Sequence, residues 1–207
     1  KHCSRKNALT LGGLGARFIN NEKQGIEAQI ANVADEIAYN NHDIDDGLRA
    51  GLLDIDALKE CKLFNMHFEK VTEKWPDLAD SRLRHEIIRR MINYVVTDLI
   101  QTSEALINQH QPKDIDGVRK CGAALVKMSD ATHGMHLDLK KYLRKNLYQH
   151  ERVQSMADQA KETVSFLFNA YMETPALLTE QIQKTINNTD VKDENDIARV
   201  IADYTAG

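Results

Sequence analysis

An all-α fold is predicted for this 207-residue chain by three features. Apolar residues recur every three to four positions through long stretches, the period of a helix that buries one face. There are only three prolines. No hairpin turn signals and no internal repeat are present. The length allows one large domain or two small ones with a sizeable core.

In chain order, residues 1–24 open with the basic cluster Lys1, His2, Arg5 and Lys6, followed by Gly12, Gly13 and Gly15. A GGxG run cradles phosphate when it follows a strand and opens a helix. Nothing before it reads as a strand, so turn or close-packing glycines are expected. The stretch 26–50 is the strongest helix. At about 100° per residue it lines up Ile26, Ile30, Val33, Ile37, Ile44 and Leu48. Gly51 is placed to end it.

Asp54 or Asp56 caps a helix predicted over 57–74, stopped by Trp75-Pro76. A longer helix is predicted over 80–110, on Leu83, Ile87, Met91, Val95 and Leu99. Its first turns carry Arg82, Arg84, His85, Glu86, Arg89 and Arg90, which reads as a phosphate patch or, more simply, a partly paired solvated face. Residues 112–118 read as a loop and 121–129 as an irregular segment. From His136 helical spacing returns through Leu139, Leu143 and Leu147, breaks near His150, and resumes from Val153 to Tyr171. Two short helices close the chain, the last capped by Asp193 or Asn195.

Composition is that of an ordinary water-soluble chain, 42% hydrophobic and 28% charged. A net charge of −4 gives no indication of a nucleic-acid partner, although it leaves one open. No apolar run approaches the roughly 20 residues of a membrane span. Cys3, Cys61 and Cys121 are few, odd in number and in no CxxC pair, which points to a reducing, cytoplasmic setting. The chain starts at Lys1 and stops at Gly207 in IADYTAG, so a piece of a longer protein is expected.

Three constellations could carry chemistry. On the 26–50 helix, Asp35, Tyr39, His42, Asp43 and Asp46 share an arc of roughly 100° opposite the apolar stripe. Clustered acids repel unless a cation or a donor-rich ligand sits among them; a solvated acidic face is the alternative. Asp35, Tyr39 and Asp43 step along one side by about 6 Å each, comparable to the distance from a phosphate to its sugar. His42 and Asp43 point about 100° apart and do not easily share one ion. The second constellation is Lys140, Arg144 and Tyr148, with Lys141 and Lys145 alongside, running into Gln149 and His150. Cations beside an aromatic and an amide suit a triphosphate and a base, or a solvated face. The third is Lys1-His2 with Arg5 and Lys6. Asp35 alone cannot hold a catalytic metal, which takes three or more protein ligands. No GxSxG, Walker or HExxH motif is present.

The run EAQIANVADEIAYNNHDIDDGLRAG closely resembles the signature helix of bacterial deoxyguanosinetriphosphate triphosphohydrolase-like proteins of the HD-domain superfamily. KHCSRKNA, LRHEIIRR, NLYQHERV and IADYTAG are similar to further stretches of that family, in the same order. The resemblance implies an all-α, oligomeric, divalent-metal enzyme, using Mg or Mn. Such an enzyme cleaves a deoxynucleoside triphosphate to deoxynucleoside and tripolyphosphate. It implies Asp35 as a metal ligand, Tyr39 against the deoxyribose and Asp43 as acceptor for the sugar 3′-hydroxyl. More loosely, it implies Lys140 at phosphate, and Tyr148, Gln149 and His150 near the nucleotide, within helices over 136–174.

The family's H…HD segment, which supplies the other metal ligands, and its catalytic histidine are not in this sequence. The expectation is the C-terminal part of one helical domain, inactive alone and without a catalytic residue of its own. Another HD phosphohydrolase acting on a different nucleotide is one rival reading. A non-catalytic helical module that binds nucleotide or nucleic acid, or assembles subunits, is the other.

Overall fold

The computed structural model describes residues 3–20, 22–187 and 193–206. Lys1 and His2, half of the third constellation, lie outside the described residues. Among those described the fold is all-α, with no strand. The helices are α1 Arg5–Thr10, α2 Gly13–Ile19, α3 Ile26–Arg49, α4 Ile55–Leu58, α5 Lys62–Lys74, α6 Asp80–His110, α7 Ile115–Lys120, α8 Asp130–Leu143, α9 Glu151–Glu173, α10 Glu180–Ile186 and α11 Glu194–Ala206. They fall into two compact units, residues 1–148 and 149–207.

The core of the first unit forms where the apolar stripes of α3, α5, α6 and α8 meet. Ile37, Ile44, Phe64, Val71, Ile87, Met91, Leu139 and Leu143 are buried there. The stripe of α3 was legible, with one exception: Ile30 is half exposed. The helix ends where Gly51 takes φ 64°, a left-handed conformation that glycine adopts without steric penalty. Of the glycines in the first 24 residues, Gly12 serves a turn at φ 55° and Gly15 serves close packing. A β-carbon on Gly15 would lie 1.7 Å from the carbonyl oxygen of Ala8, so α1 and α2 touch backbone to backbone.

Several boundaries differ from the sequence expectation. The helix predicted over 57–74 is broken at 59–61, where α4, capped by the Asp54 carboxylate, gives way to α5. The predicted loop at 112–118 contains α7, whose first turn is capped by Asp114 accepting from Gly117 N–H at 2.8 Å. The helix expected from His136 starts at Asp130, because Ser129 caps it by accepting from Thr132 N–H. Three of the α6 arginines make a paired face. Arg84 bonds Asp45 at 2.6 Å, and Arg89 and Arg90 both bond Glu86.

In the second unit, α9 packs with α11 through Tyr171 and Tyr204, whose rings meet edge to face at 5.6 Å. Leu178 and Ile201 are buried, and the Gln183 amide ties the turn at Ala176 and Leu178. Asp193 rather than Asn195 caps α11, accepting from Asp196 N–H at 2.9 Å.

Candidate functional site

The site expected on α3 faces the end of α8, and two clamps set that arrangement. The Gln29 side-chain oxygen, buried on α3, accepts from Leu125 and Val126 N–H at 2.9 and 3.1 Å and fixes the irregular segment before α8. Asp98 of α6 then accepts from both the amide and the hydroxyl of Ser129, the α8 cap. Helix α8 is thereby anchored at its start, and Leu139 and Leu143 seat it on the core. After Leu143 the helix widens into a π turn, Arg144–Tyr148, which buries Leu147 and leaves Tyr148 turned toward α3. Such widened turns recur at functional positions.

Of the expected residues, Asp43 and Tyr148 are brought together: the Tyr148 hydroxyl donates to the Asp43 carboxylate. The hydrogen bond, then burial, then the charge of Asp43 push the Tyr148 phenol up to about 12. Tyr39 stands close enough to contribute to that rise, and its own ring is 63% exposed. Asp35 lies on the same side of α3, also exposed to solvent. Lys140 reaches α3 as well, but onto a residue that the sequence reading did not select. Its ammonium bonds Glu36 Oε1 at 2.7 Å.

Glu36 is the hinge of a polar network. His136, one turn before Lys140 on α8, is 2% exposed and lies 3.8 Å from the same Glu36 oxygen. The Asn40 amide nitrogen hydrogen-bonds His136 Nε2 at 3.0 Å. Burial lowers the His136 pKa more strongly than Glu36 raises it. Burial alone would lift Glu36. The hydrogen bond and charge of Lys140, with His136 and His133 nearby, overcome it and hold the carboxyl below its ordinary value.

The remaining expected residues are placed as follows. Arg144 is exposed on the π turn. His42 and Asp46 are exposed on α3, and His42 borders a cavity on the side away from Tyr148. Gln149 and His150 belong to the second unit, where His150 caps α9 by accepting from Arg152 N–H at 3.2 Å. Glu36, Asn40 and His136 were missed. The signal that could have found them is a lone histidine on the apolar stripe of α8, since a buried imidazole requires a polar partner.

A metal fits this chain only in part. Among the described residues no three His, Cys, Asp or Glu side chains come together to hold an ion. Asp35 can offer one carboxylate, and a full coordination shell would draw on ligands beyond those residues.

Residues 126–207 match the model of a phosphohydrolase-associated domain. All 207 residues align with proteins named deoxyguanosinetriphosphate triphosphohydrolase-like protein. Identity is 44% to that of Azoarcus sp. (strain BH72), 42% to that of Bordetella pertussis and 44% to that of Ralstonia pickettii. The resemblance carried by α3 thus extends along the whole chain. The alignments cover 52% of each of these relatives, so the chain spans about half the length of the curated relatives it matches.

Proposed function

We propose that this chain is part of a longer phosphohydrolase that cleaves a deoxynucleoside triphosphate to deoxynucleoside and tripolyphosphate, with the Asp35–Tyr39–Asp43 side of α3 facing the substrate. The observation that carries the reading is the order of groups along that side. At one end Glu36, next in sequence to Asp35, bonds the Lys140 ammonium; a turn or two along, Asp43 bonds the Tyr148 hydroxyl with Tyr39 nearby. Phosphate chemistry at the first end and sugar chemistry at the second match the dimensions of a nucleotide.

In this reading Asp35 is one ligand to a divalent ion, Mg or Mn, completed by donors outside the described residues. When bound, such an ion polarises phosphate oxygens and acidifies a water. Lys140, released from Glu36, neutralises charge on the triphosphate. Asp43 accepts the sugar 3′-hydroxyl in place of, or alongside, the Tyr148 hydroxyl, and the exposed Tyr39 ring packs on the C2′ edge. The protein works in the reducing cytoplasm as a homo-oligomer. Its three thiols are unpaired, and among the described residues no helix is long and apolar enough to cross a membrane.

The test is ³¹P NMR of the polypeptide as encoded, incubated with dGTP and Mn²⁺. Tripolyphosphate appearing with deoxyguanosine is the expected result, and Asp35→Ala should abolish it. Release of orthophosphate or pyrophosphate instead would reject the reading.

A further inference from the structure

Positions 90, 93, 94, 97 and 101 of α6 recur at helical spacing along one side and line a groove of about 450 Å³ against α5. A stripe beside a packed neighbouring helix is ordinarily apolar. Here it reads Arg90, Asn93, Tyr94, Thr97 and Gln101, with Lys70 and His67 contributed by α5. The basic run at the start of α6 thus leads into a polar groove that the α3–α8 site does not use.

The charges in this groove do not cancel. Lys70 is exposed and pairs with no acid among the described residues. Arg90 spends its Nε on Glu86 at 2.9 Å, but Glu86 also serves Arg89, so a single carboxylate stands between two guanidiniums. Among the described residues of the wall the one carboxylate, Asp98, has both oxygens engaged by Ser129. His67 forms the floor, too deeply buried to touch a ligand, yet it reports the field. Burial, then the charges of Lys70 and Arg90, lower its pKa to about 4. Asn93, Thr97 and Gln101 are exposed, and their side chains form no hydrogen bond among the described residues.

Two cations with spare amide and hydroxyl donors exceed what the two oxygens of a carboxylate can accept. They match a phosphate group, whose three terminal oxygens are strong acceptors. The terminal nitrogens of Arg90 supply the fork that engages such oxygens, and Lys70 supplies a point charge. We propose that the α5–α6 groove binds a phosphate group between Lys70 and Arg90, flanked by Asn93 and Thr97. The groove shares no residue with the Asp35–Tyr39–Asp43 side of α3, so the inference stands whatever the substrate is.

The test is ¹⁹F NMR of the polypeptide as encoded, carrying 3-fluorotyrosine at position 94. It is titrated at constant ionic strength with inorganic phosphate, ribose 5-phosphate and acetate. A saturable shift with the phosphates is expected, with Kd weakened about tenfold or more in Lys70→Ala and unchanged in Lys140→Ala. Equal Kd for the two phosphates identifies the free anion as the ligand, and a tighter Kd for the ester identifies a phosphate monoester; both support the proposal. No saturable shift, acetate binding as tightly as phosphate, or an unchanged Kd in Lys70→Ala would overturn it.

Discussion

The Lys140 ammonium and the Glu36 carboxylate meet at 2.7 Å although 104 residues separate them in sequence. Lys140 is 55% exposed, and a pair of this kind stabilises a fold by about 0–1 kcal/mol. Its consequence is for binding: Glu36 occupies the cation that a phosphate would use.

Glu36→Gln should therefore strengthen binding of tripolyphosphate by up to about fivefold, the factor matching the strength of an exposed pair. Lys140→Ala should weaken it and raise KM for the triphosphate. Both variants should keep their stability within about 0.5 kcal/mol. Isothermal titration with tripolyphosphate checks the pair; an unchanged Kd in Glu36→Gln would return Lys140 to the solvated surface.

The Asp43–Tyr148 contact is open to spectroscopy. Tyr148 is pushed up to about 12 and burial raises Tyr142 as well, so the tyrosine titration should include a late step that Tyr148 carries. Asp43→Asn removes the carboxylate that accepts the phenol proton and repels the phenolate, so the late tyrosine should titrate earlier. Ultraviolet difference titration across pH 10–11.5 measures this, and superimposable curves would show that the two side chains do not interact.

A third prediction concerns His67, buried on α5 with Nε2 unbonded and its ring against Tyr94. Burial, then the charges of Lys70 and Arg90, lower its pKa to about 4. The unfolded chain binds this proton near pH 6.5 and the folded chain only near pH 4, so stability falls as pH drops through that window. His67→Phe removes the titrating group. It should flatten the acid slope relative to the parent, by up to about 2 kcal/mol at pH 4.5. Chemical denaturation at pH 7.5, 6 and 4.5 checks it; parallel slopes would contradict the assignment.

The long helices were legible because their apolar period persists over many turns. The α6 bounds Asp80–His110 coincide with those read from the sequence. The breaks were not. Nothing in the pattern of 57–74 interrupts helical spacing at 59–61, and α7 owes its start to an Asp114 cap inside a polar stretch. That Asp35, Tyr39 and Asp43 share one side of α3 was legible because one helix carries them at turn spacing. Glu36 sits about 100° from Asp35 and about 20° from Asp43, at the edge of the arc, and the sequence reading did not select it. Only folding brings α8 across α3 and makes Glu36 the partner of Lys140 and His136 the partner of Asn40. No local pattern reports pairings 96 to 105 residues apart.

The isolated 207-residue chain should release no tripolyphosphate from dGTP with Mn²⁺ or Mg²⁺, because its described residues assemble no three-ligand metal cluster. A colorimetric or NMR assay of phosphate products checks this. Turnover by the chain alone would place the whole catalytic apparatus within it.

The measurement that bears most directly on the site is the ratio of kcat/KM for dGTP to that for GTP in Tyr39→Ala, made in the polypeptide as encoded. A phenol ring on the C2′ edge leaves no room for a ribose hydroxyl. Burying that hydroxyl unpaired costs roughly 1–3 kcal/mol, or about 5- to 150-fold in discrimination. Tyr39→Ala should narrow the dGTP/GTP ratio by a factor in that range, chiefly by improving GTP relative to dGTP. Tyr39→Phe should keep most of the discrimination. A ratio unchanged in Tyr39→Ala, with both substrates depressed alike, would contradict the account and remove this face of α3 from the substrate site.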